Sequence, residues 1–119
     1  MPKFVLFLRD GDSAYPNMSP EQMQGIVQRY VAWRAKVQKD GRSIMGHKLH
    51  DNQGRVVKGN GSALKVTDGP YAEAREVMGG LFVIEAESYD VIVELCQDCP
   101  HLEFGSIEIR EVQPTPSKP

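Results

Sequence analysis

Residues 19–41, SPEQMQGIVQRYVAWRAKVQKDG, decide how the rest of the chain is read. Ser19 is a natural N-cap, Pro20 suits the first helical position, and Gln22 can reach back to close a capping box. Met23, Ile26, Val27, Tyr30, Trp33 and Val37 then recur at helical spacing and form one apolar stripe. Gln24, Gln28, Arg29 and Lys36 fall largely off that stripe. Gly41 is a C-terminal stop, so the spacing predicts a one-sided helix from about Pro20 to Asp40.

A one-sided helix needs a surface to cover, and the flanking segments supply strands. Upstream, the continuous apolar run over residues 3–9, KFVLFLR, predicts a central strand buried on both faces. Residues 10–17 carry Gly, Ser, Pro and Asn and predict a loop. Downstream, residues 43–50 predict a strand with Met45, His47 and Leu49 on one face and Ile44, Gly46 and Lys48 on the other. Val56-Val57 and residues 63–67 flank Gly59-Asn60-Gly61, the pattern of an edge hairpin. A tight turn at residues 67–71 leads into an acidic, helix-tolerant stretch to Met78. Gly79-Gly80 restarts the chain, and residues 81–86 predict a buried strand. Ser88 caps a second helix bearing Tyr89, Ile92, Leu95, Cys96 and Cys99, which Pro100 ends. Residues 106–112 alternate as a last strand, with Ile107 and Ile109 on one side and Ser106, Glu108 and Arg110 on the other.

The order is βαββαβ with an inserted β-hairpin, an α+β fold of the ferredoxin-like kind. The expected domain spans residues 1–113, and residues 114–119 form a flexible Pro-rich tail. Both helices must cover one face of an antiparallel sheet. The other face is apolar enough that a second subunit is its expected cover, which makes a homodimer.

Composition narrows the function classes. The chain has 119 residues, enough for one domain with a core, and a formal net charge of -2. No basic run is present, so direct nucleic-acid binding is not expected. No apolar stretch is long enough to span a bilayer, and the first apolar run is too short for a signal-peptide core. No membrane association is expected, and the expected location is the cytoplasm. Two cysteines make no disulfide framework.

Two blocks carry a family resemblance. The first is Val66-Thr67-Asp68-Gly69-Pro70-Tyr71-Ala72-Glu73, followed by Gly79-Gly80 and an apolar strand ending at Glu85. The second is Cys99-Pro100, with Gly105-Ser106-Ile107-Glu108-Ile109-Arg110 after it. The chain thereby resembles the DGPF group of YCII-related proteins over nearly its whole length, with Tyr71 where that group usually has Phe. The resemblance implies a dimeric α+β barrel in which two ferredoxin-like sheets face each other. Wider YCII relatives include an enzyme acting on chlorinated muconolactones and look as if they use a His–Asp pair, the histidine on the first helix. Here that helix has no histidine, and Tyr30 falls at about that place. Some relatives are encoded beside sigma factors or fused to them, which implies a regulatory setting.

Candidate residues follow. Asp68 is a candidate general base, although an Asp before Gly-Pro also explains itself by capping its own turn. His47 is a candidate acid/base group, although a lone His on an apolar face is usually a hydrogen-bonded core or interface residue. Tyr30 is a candidate proton donor. Trp33, Tyr71 and Arg110 are candidate ligand-binding residues, the first two as walls and Arg110 as part of an ion pair with Glu108 facing a shared dimer interior. Trp33 and Tyr30 otherwise belong to the helix stripe as core. His101 follows Pro100 and can reach the sheet end, although a loop position explains it. Cys96 and Cys99 form a C-x-x-C at the C-terminal end of a helix, where the dipole disfavours a thiolate, so they are expected as core thiols. No metal and no cofactor are expected. The expected function is binding of a small molecule, with lyase or isomerase action on a small acidic or lactone-like substrate; the alternative is a non-catalytic ligand-binding or regulatory module acting through a protein partner.

Overall fold

A computed structural model describes residues 1–10, 18–50, 53–69 and 77–115. The element order is β1 (Lys3–Asp10), α1 (Pro20–Lys39), β2 (Ile44–Lys48), β3 (Arg55–Lys58), β4 (Lys65–Asp68), β5 (Val77–Glu85), α2 (Tyr89–Cys96) and β6 (Gly105–Glu111). Short 3-10 turns lie at Gly61–Ala63 and Pro100–Glu103. Four strands form an antiparallel sheet in the order β2-β5-β1-β6, and β3 pairs with β4 in a separate two-stranded sheet. Strand, helix, strand, strand, helix, strand with this order is the ferredoxin-like α+β arrangement.

The capping box of α1 is complete. Ser19 Oγ accepts from the Gln22 amide at 3.1 Å, and Gln22 Oε1 accepts from the Ser19 amide at 2.9 Å. Two of the donors that every helix N-terminus leaves over are thereby satisfied. At the other end Gly41 takes a left-handed φ of 78°, which stops the helix at low cost. Helix α2 begins in the same way, with Ser88 Oγ accepting from the Val91 amide.

The core lies between the helices and one face of the sheet. Phe4, Leu6 and Leu8 of β1, Ile84 and Phe82 of β5, and Ile44 of β2 are buried there. Trp33 and Val37 of α1 and Ile92 and Cys96 of α2 close over them. The strand period then sends Val5, Phe7 and Arg9, Leu81 and Val83, Met45 and His47, and Glu108 and Arg110 to the opposite face. Among the described residues no helix covers that face, and Val5, Phe7, Leu81 and Val83 stay only partly buried.

The elements depart from the expectations in several places. Strand β1 is buried on its helix side and only half-covered on the other, because both helices pack on one face. It extends to Asp10, beyond the expected end at Arg9. Strand β2 stops at Lys48, short of His50. The stripe of α1 is narrower than its sequence pattern: Ile26, Trp33 and Val37 are buried, whereas Val27 is 54% exposed. Strand β5 already includes Val77 and Met78 and runs through Gly79-Gly80, so the expected helix-tolerant stretch does not reach Met78 and the glycines do not restart the chain. Helix α2 ends at Cys96, and Pro100 opens a 3-10 turn instead of closing the helix. The hairpin forms as expected, but it stands as its own sheet rather than on an edge of the main one. The expected loop over 11–17, the turn from Pro70 onward with the stretch to Glu76, and the last residues of the tail lie outside the described residues.

Candidate functional site

Glycines on β2 and β5 stand on the helix side of the sheet next to a cleft. Gly46 pairs with Phe82, and Gly80 pairs with Leu8, so both glycines share the helix-facing register with core residues. A Cβ on Gly46 would overlap the Phe82 ring, which lies across it. The cleft, of about 330 Å³, is walled by Met23, Ile26, Val27 and Val31 of α1 and floored by Leu8, Gly46, Gly79 and Phe82. Its polar lining is Asp10, Tyr30, Arg34, His47, Lys48 and His101. A concave, mostly apolar cavity with a few convergent polar groups has the form of a small-molecule site, and this volume lies at the small end of the usual range of about 300–1,000 Å³.

The end of the cleft at the sheet rim is built by an irregularity in the pairing of β1 with β5. The β1–β5 register shifts between Leu8 and Arg9, so that Leu8 faces Gly80 and Arg9 faces Met78, leaving Gly79 as the extra residue of a bulge. The Asp10 carboxylate lies where a Cβ on Gly79 would stand, so only glycine leaves it that space. A second glycine does the same for the backbone: a Cβ on Gly105 would overlap the Arg9 carbonyl oxygen. That carbonyl accepts a hydrogen bond from His101 Nε2 at 2.9 Å, with His101 only 1% exposed. A carbonyl can only accept, so Nε2 carries a proton and donates it.

Of the three candidate catalytic residues the cleft holds Tyr30, which lines it from α1, partly buried against the core. His47 stands at its border on the exposed edge strand β2, in the register of the open sheet face. Asp68 ends β4 on the hairpin, with its side chain 92% exposed and 3.4 Å from the Arg55 guanidinium. Trp33 lies beneath the cleft in the core, where its indole Nε1 donates to the Leu95 carbonyl at 2.8 Å and its ring meets Phe82 edge-on at 5.2 Å. Arg110 stands on the open face of the sheet, 3.7 Å from Glu108, which also accepts from Arg9 at 3.0 Å. Tyr71 lies outside the described residues. Asp10, Arg34 and Lys48 line the cleft without having been singled out from the sequence. The signal for Arg34 was present: it follows Ile26 and Tyr30 at i, i+4, i+8 as a cation on the margin of the apolar stripe.

Cys96 and Cys99 are free and buried. Burial pushes the Cys96 thiol up to about 12, helped by neighbouring Cys99 and Asp98. Burial likewise raises Cys99 to about 11, against the opposing hydrogen bond from the His101 amide. Both are protonated at neutral pH, the opposite of a reactive thiolate. Among the described residues, no three His, Cys, Asp or Glu side chains gather as a metal-ligand set, and no helix is long and apolar enough to cross a membrane.

Fold and cleft together define a small α+β domain with one helix-covered sheet face, one open face and a cavity at the rim. The chain belongs to the YCII-related domain family, whose model matches residues 3–116. A search of curated proteins gives no match. Among solved structures the chain is similar to a protein of Arabidopsis thaliana studied by ensemble refinement of its crystal structure, at 15% identity over 99% of each chain, with a TM-score of 0.44.

Proposed function

We propose that this protein binds a small, largely apolar molecule in the cleft between α1 and the sheet rim, and that it acts there as a lyase- or isomerase-type enzyme on an acidic or lactone-like substrate. The observation that carries the reading is the cleft itself, an apolar cavity with Asp10, Tyr30 and His101 in its lining. Proton transfer next to a carbonyl needs a carboxylate or imidazole within reach of a substrate held away from water. On this reading Asp10 takes the role of base that the sequence suggested for Asp68, since Asp68 stands on the exposed hairpin. The protein works as a homodimer closed through the open sheet faces. Support for that comes from the uncovered apolar group of Val5, Phe7, Met45, Leu81 and Val83 on a domain whose helices are both on the other side.

The test is a thermal-shift screen of small carboxylic acids and lactones on the wild type, Asp10→Asn and Asp68→Asn. A ligand at a hundred times its dissociation constant adds about 2.7 kcal/mol. The expected hit stabilises the wild type and Asp68→Asn alike and is weakened in Asp10→Asn; a turnover assay on that hit then separates catalysis from binding alone. A screen in which no acid or lactone stabilises the wild type sinks the reading. A response lost in Asp68→Asn and kept in Asp10→Asn moves the site to the hairpin.

A further inference from the structure

Arg34 stands apart from every other arginine among the described residues. Arg9, Arg29, Arg42, Arg55 and Arg110 each have a carboxylate oxygen between 2.6 and 3.7 Å away. Arg34 has none among the described residues; its contact there is one hydrogen bond, from Nη2 to the Ile44 carbonyl at 3.2 Å, and it is only partly exposed. A guanidinium has five N–H donors and never loses its charge, and a cation held against apolar walls calls for a counter-ion. The Ile44 contact fixes one arm of the fork toward β2, while the same side chain lines the cleft beside Val31 and Gly46.

We infer that Arg34 is the anchor for a ligand carboxylate, so that the cleft takes a monocarboxylic acid with an apolar body. The inference rests on the reading of the cleft as a ligand site and adds the class of ligand. A planar carboxylate matches the guanidinium fork, and the remaining donors of Arg34 are available to it. One carboxylate occupies one guanidinium fork. Asp10 in the same lining disfavours a second carboxylate on the ligand. Size follows from volume: at about 30 Å³ per water-sized unit, the cavity holds a molecule of roughly ten non-hydrogen atoms. An eight-carbon acid meets both conditions.

Octanoate, 1-octanol and octanedioate are the probes, titrated into the ¹⁵N-labelled wild type, Arg34→Gln and Arg34→Lys and followed by amide chemical shifts. Octanoate is expected to shift amides of Ile26, Val27, Gly46 and Phe82 and to bind the wild type at least about tenfold more tightly than 1-octanol, the usual scale of one charged hydrogen-bonded pair. Octanedioate is expected to bind less well than octanoate. Arg34→Gln should lose the preference for the acid, and Arg34→Lys should keep part of it. Equal affinity for octanoate and 1-octanol at the cleft amides would overturn the assignment of Arg34 and leave the cleft reading standing. The same holds if Arg34→Gln keeps the full preference. Absence of cleft shifts with all three probes removes both. The acid-against-alcohol comparison in the wild type decides the matter even where a variant folds poorly.

Discussion

His101 and Cys99 show how single side chains hold the rim together. The imidazole is buried and bonded to a backbone carbonyl that has its space because Gly105 has no side chain. The neighbouring thiols are held protonated by burial, and that has a consequence for stability. In the unfolded chain they ionise near the ordinary value of 9.0, whereas in the folded chain they resist until about 11 and about 12. A folded pKa above the unfolded one means that the native state keeps protons the unfolded state gives up. The contribution is thus complete below pH 9 and is lost as pH rises toward 11 and 12. Urea denaturation from pH 8 to pH 10.5 is expected to show a fall in stability that is shallower in a Cys96→Val, Cys99→Val variant. Equal slopes would mean that the thiols titrate alike in both states.

At the scale of elements, α1 supplies both the lid of the core and one wall of the cleft. Its first turn is fixed by Ser19 and Gln22, just before Met23, the first residue of α1 in the cleft lining. Ser19→Ala removes the acceptor for the Gln22 amide and is expected to cost about 1 kcal/mol in urea denaturation. If α1 positions the wall, the same variant also weakens whatever ligand the thermal-shift screen finds; unchanged affinity would detach the wall from the cap. The hairpin of β3 and β4 behaves differently. Val57, Leu64 and Val66 are between 50% and 58% exposed on it. A lone two-stranded sheet is marginally stable in water. Its Arg55–Asp68 pair is largely exposed, the kind of contact that contributes at most about 1 kcal/mol.

For the whole molecule, the uneven sheet is the central fact. One face is sealed by α1 and α2, and the other presents apolar residues toward β2 and an Arg9–Glu108–Arg110 charge group toward β6. On the proposed homodimer, Met45→Glu places a charge in the seam. Met45 is 46% exposed, so the subunit itself tolerates the change. Analytical ultracentrifugation is expected to find the wild type as a dimer and Met45→Glu as a monomer of unchanged helical content. A variant that still sediments as a dimer would move the seam elsewhere.

The sequence alone determined what depends on neighbours along the chain. The capping box at Ser19, the stop at Gly41, the strand alternation at Ile107 and Ile109, and the element order are local physics: hydrogen bonds and side-chain periods acting within a few residues. The motif around Asp68 likewise pointed to the family. Tertiary structure decided the site. Gly79-Gly80 looks like punctuation in one dimension, because nothing local says that Asp10, sixty-nine residues earlier, needs the space of a missing side chain. Nor does spacing say that His101 bonds to Arg9 across ninety-two residues, or that Arg34 alone among its described kind lacks a carboxylate. Asp68 illustrates the converse. Its sequence context was the most specific in the chain, yet hairpin pairing carries it to an exposed strand end away from the cleft. A cavity is a relation between elements that the chain brings together only on folding, so its lining follows from packing rather than from sequence spacing.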